Sequence, residues 1–176
     1  MKKSLRKGLS MLVAILLVLN LFIVSPAPVL AADPVSDTIV QWTAPNPLTN
    51  GTEEPATGGT NKTGAILKTT FGGSMVYSGN GYAAASNKWS NGDAATPPSG
   101  WVISFSTLNY EGLNLSLRSR GSTTAPKDWK VQYSTDNLVW TDVSASSFQS
   151  TNAGVNVGPF ALPAAAENQA ALYLRI

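Results

Sequence analysis

The chain has no cysteine and no histidine, and only 12% of its residues are charged. Without thiol or imidazole there is no Cys–His or Ser–His–Asp nucleophile, and no metal site built on thiolate or imidazole ligands. Disulfides are excluded as well, so any domain must hold together through its core. Calcium is the one metal the residue types permit, since carboxylates and loop carbonyls suffice for it. No EF-hand spacing supports it, and Asp93, Glu111 and Asp136 are scattered carboxylates. No cofactor is expected. No GxGxxG lies between a strand and a helix, and GxxxxGK[ST] is absent, so phosphate-cradling loops are unsupported. A glycosidase needs two carboxylates facing each other across a cleft. Glu53, Glu54, Asp93, Asp136 and Asp142 read instead as turn or solvent-face residues, so the chain is expected to carry no catalysis of its own.

Long apolar runs are equally scarce. The one that matters, Met11 to Val24, follows the basic residues Lys2, Lys3, Arg6 and Lys7 and precedes Pro26, Pro28 and the small-residue site Val29-Leu30-Ala31. It is short for a bilayer span of about 20 residues. The pattern is that of a secretory signal peptide over residues 1–31, cut before Ala32 or Asp33. The expected product is secreted or associated with the cell wall, with no membrane contact after cleavage. Removing the leader's four basic residues leaves 8 basic against 10 acidic side chains, net −2. The basic character of the whole chain thus belongs to the leader and gives no ground for nucleic-acid binding.

What is present is period-two alternation. Residues 32–37 form a short mature N-terminus and residues 38–176 a β-module. Thr38–Trp42 reads as a strand and residues 48–64 as a long Gly-rich loop. Ala65-Ile66-Leu67 and Met75-Val76-Tyr77 read as short strands around Gly72-Gly73, followed by loop over residues 78–100. Trp101, Ile103 and Phe105 share one face of a strand. Leu113, Leu115 and Leu117 share a face of the next, and Trp129, Val131 and Tyr133 share a face of a third. Residues 113–143 read as an antiparallel meander with one dry and one wet face. Residues 148–160 read as loop and weak strand, residues 163–171 as at most a helical turn, and Leu172–Ile176 as a strand that stops mid-alternation. The expected fold is all-β: an antiparallel jelly-roll β-sandwich, incomplete at its C-terminus.

Two features could bind a ligand. Trp89 lies in the polar run Asn87-Lys88-Trp89-Ser90-Asn91-Gly92, where an indole can stack on a sugar or be buried under the sandwich. Trp101, Trp129 and Trp140 sit in strand patterns and read as packing residues. Arg118, Arg120, Lys127 and Lys130 cluster on the wet face of the hairpin, either simply solvated, with Arg120 pairing Asp128, or facing an anionic glycan or phosphate.

The run from Arg118 through Trp129-Lys130-Val131-Gln132-Tyr133-Ser134-Thr135-Asp136 to Trp140-Thr141-Asp142-Val143, with Leu162-Pro163 and Leu172-Tyr173-Leu174-Arg175, carries a resemblance. It resembles the N-terminal β-sandwich modules of secreted Bacillus- and Paenibacillus-type surface proteins, which often precede metallophosphoesterase, 5′-nucleotidase or nuclease domains. The Tyr-Ser-x-Asp then Trp-Thr pattern is also similar to galactose-binding-like, discoidin-type jelly rolls. The resemblance covers residues 101–176 best and implies a non-catalytic accessory role. Such a module would bind cell-wall or environmental polysaccharide, or position a downstream domain of the same polypeptide. Two other roles fit the resemblance: the front of an extracellular hydrolase whose catalytic domain lies elsewhere, and a structural adhesin.

Overall fold

The computed structural model describes residues 35–43, 51–77, 83–85, 89 and 99–176. The expected signal peptide and Asp93 lie outside the described residues. Apart from Val35, the described residues belong to one compact unit, Ser36–Ile176. Its strands are β1 (Glu53–Pro55), β2 (Ile66–Thr69), β3 (Met75–Tyr77), β4 (Ala83–Ala85), β5 (Trp101–Phe105) and β6 (Asn114–Ser119). They continue with β7 (Asp128–Trp129), β8 (Gln132–Ser134), β9 (Thr141–Asp142), β10 (Phe148–Gln149), β11 (Val155–Ala161) and β12 (Leu172–Arg175), with a 3-10 turn at Ala164–Ala166. The fold is all-β and antiparallel, as the alternation predicts.

One layer is a six-stranded sheet in the order β1-β2-β5-β12-β8-β9. Register places Glu54, Leu67, Ile103, Leu174 and Tyr133 in one row on its inner face. The adjacent row, Glu53, Lys68, Val102, Arg175, Gln132 and Asp142, crosses all six strands on the outer face. The opposing layer is built from the pairs β6–β11 and β7–β10, joined where the Gly121 N–H donates to the Thr151 carbonyl at 3.1 Å. Between the layers Val131 and Leu172 are fully buried and Leu174 nearly so, packed with Ile103, Leu113, Val143, Leu162 and Ala166. Complete burial of such side chains is worth about 1.5–3 kcal/mol each.

The faces of residues 113–143 are as expected, but the meander is not. β6 pairs with β11 rather than with β7, and β7 pairs with β10. Within residues 113–143 the one local hairpin is β8–β9. Alternation reports which side of a strand is dry and says nothing about its partner, and the connection over residues 120–127 carries the chain onward instead of folding it back. The stretch from residue 148 contains β10 and runs into the seven-residue β11, whose register shifts between Val157 and Phe160 around Gly158-Pro159. Thr38–Trp42 contributes a single bridge, Gln41 to Gly58, in place of a strand. The expected loops at 48–64 and 78–100 contain β1 and β4.

The strand carrying Trp129 to Ser134 serves both layers. It pairs with β10 through Asp128 and Trp129, then with β12 and β9 from Gln132 onward. At the changeover the Val131 N–H, inside the core, must find an acceptor. It donates to the Ser146 hydroxyl at 3.1 Å, and that hydroxyl in turn donates to the Val143 carbonyl at 2.7 Å. Ala145, at φ 54, turns the returning chain so that Ser146 can reach inward. At the far end of the core the buried Thr107 hydroxyl donates to the Ala166 carbonyl at 2.8 Å and accepts from the Gln169 N–H at 2.9 Å, closing the 3-10 turn over the sandwich. Replacing Ser146 by Ala strands the buried Val131 N–H and is expected to lower unfolding free energy by about 1–3 kcal/mol, measured as a drop in urea midpoint at unchanged m-value.

Candidate functional site

The inner faces do not meet along their whole length. A cleft of about 1040 Å³ separates them, lined on one side by Ile103, Leu174 and Ile176 and on the other by Leu113, Leu115 and Leu117. Its size is that of a ligand pocket at the upper end of the usual range. At one end three tryptophans converge. Trp89 stands edge-on to Trp129 with centroids 5.4 Å apart and tilted against Trp101 at 5.8 Å, and Phe71 meets Trp89 edge-on at 4.9 Å. Edge-to-face contacts of this kind contribute about 0.5–1.5 kcal/mol each beyond buried area. The Trp129 Nε1 is enclosed and without a hydrogen-bond partner. Trp101 and Trp129, which read as packing residues in the sequence, are therefore also cleft residues.

Of the sequence candidates, Trp89, Arg118 and Arg120 all border this cleft. Trp89 is half-buried among aromatic rings rather than projecting from a polar loop. Arg120 Nε donates to the Asn152 carbonyl at 3.0 Å at the aromatic end. Arg118 falls on the opposite face of β6 from Leu115 and Leu117, so it borders the cleft along the strand edge. Lys127 is directed elsewhere, its Nζ donating to the Ser122 carbonyl at 2.8 Å. Lys130 lies on the outer face of the six-stranded sheet, 3.3 Å from Asp142. The wet-face cluster is thus divided between two layers, because β6 and β7 do not form a hairpin.

Two further positions differ from expectation. Glu54 is buried at 4% exposure and borders the cleft, although it reads as a turn carboxylate. Register explains this: its β1 position opposite Leu67 is an inward one. The neighbouring Trp42 Nε1 donates to the Glu54 carbonyl at 3.1 Å. Trp140 sits outside the core, with the Arg175 guanidinium carbon 4.3 Å from its ring centroid. Arg175 also donates to Gln132 Oε1 through Nε and Nη2 at 2.9 and 2.6 Å, and Gln132 Nε2 donates to Asp142 at 2.6 Å. That bond, with Lys130 beside it, holds the Asp142 carboxyl below its ordinary value.

Among the described residues no group of three His, Cys, Asp or Glu side chains could hold a metal ion. Comparison with protein-family models, curated proteins and solved structures finds no significant match to this chain.

Asp136 organises the β8–β9 turn. Its Oδ1 accepts from the Leu138 and Val139 N–H groups at 2.8 and 2.9 Å and from the Ser134 hydroxyl at 2.9 Å. These bonds favour the ionised form, those from Val139 and Leu138 most strongly, and lower its pKa. A carboxylate with a depressed native pKa stabilises the fold above the unfolded value, near 4, and loses that contribution as pH falls through the native value. The melting-temperature gap between wild type and Asp136→Ala is therefore expected to be widest near neutral pH and to narrow below about pH 4, as read by thermal scans across pH.

Proposed function

We propose that Ser36–Ile176 is a non-catalytic, glycan-binding module of a secreted or cell-surface protein, of the galactose-binding-like jelly-roll type. The observation that carries this reading is the aromatic end of the cleft. There Trp89, Trp101 and Trp129 converge in a cleft that Arg120, Asn152 and Ser122 also line. Sugars expose apolar C–H faces ringed by hydroxyls, so rigid indoles flanked by donors and acceptors suit them. The absence of His and Cys from the sequence supports a binding rather than a chemical role. Cell-wall or environmental polysaccharide is the ligand class, and any reaction would belong to another domain of the same polypeptide.

Affinity electrophoresis through gels containing xylan, polygalacturonate or solubilised peptidoglycan tests this. Retardation in at least one gel is expected, with Trp89→Ala reducing it about tenfold, equivalent to about 1.4 kcal/mol. Lys127→Ala, outside the cleft, should leave retention within about twofold. Free migration of the wild type in every gel overturns the reading.

A further inference from the structure

We draw no further inference here: the strongest candidate, the exposed Leu138–Val139 tip of the β8–β9 turn held in place by Asp136, carries nothing because nothing among the described residues shows what covers it.

Discussion

Much of this sandwich depends on the hydroxyl of Ser146. A single strand passes from one layer to the other between Trp129 and Gln132, and a chain that changes layers must leave one set of ladder bonds before joining the next. The Val131 amide is caught in that gap at full burial. One side-chain oxygen closes it, accepting from Val131 and donating to Val143. The chain already links the two layers covalently here, and the Ser146 bonds let that link pass through the core without an unpaired amide. Thr107 does the corresponding work at the opposite end, where it ties the Ala166 carbonyl and the Gln169 amide to the start of the 107–113 connection.

Faces were legible in the sequence and partners were not. Trp101–Phe105 and Leu172–Arg175 are central strands whose alternation is clean, and both lie as expected, Leu172 and Leu174 inward. The pairing of β6 with β11 was hidden because Gly158-Pro159 interrupts the alternation of β11, which left residues 148–160 reading as loop and weak strand. Glu54 shows the same limit from another direction. Its neighbours are Thr, Glu and Pro, so the local pattern says surface, and only the register against Leu67 turns it inward.

The candidate site divides similarly. For the isolated tryptophan in a polar run the sequence left sugar stacking and burial equally open, and Trp89 lies half-buried among other rings at the cleft. Its companions Trp101 and Trp129 carried no separate signal, because an aromatic at a strand position looks the same whether it meets core or cavity. The basic residues were grouped by a hairpin that does not exist, which is why Lys127 and Lys130 fall away from Arg120.

The polar row on the outer face of the six-stranded sheet has a colloidal consequence. Its first member is Glu53, on the edge strand β1, and its last is Asp142, on the edge strand β9. The sheet therefore ends in an acid on both sides, with the cations Lys68 and Arg175 kept between them. Each acid is ion-paired, Glu53 with Lys68 and Asp142 with Lys130, so an approaching strand would have to desolvate a charged pair at either edge. Short, charged edge strands of this kind discourage the sheet-to-sheet growth that unprotected edges invite.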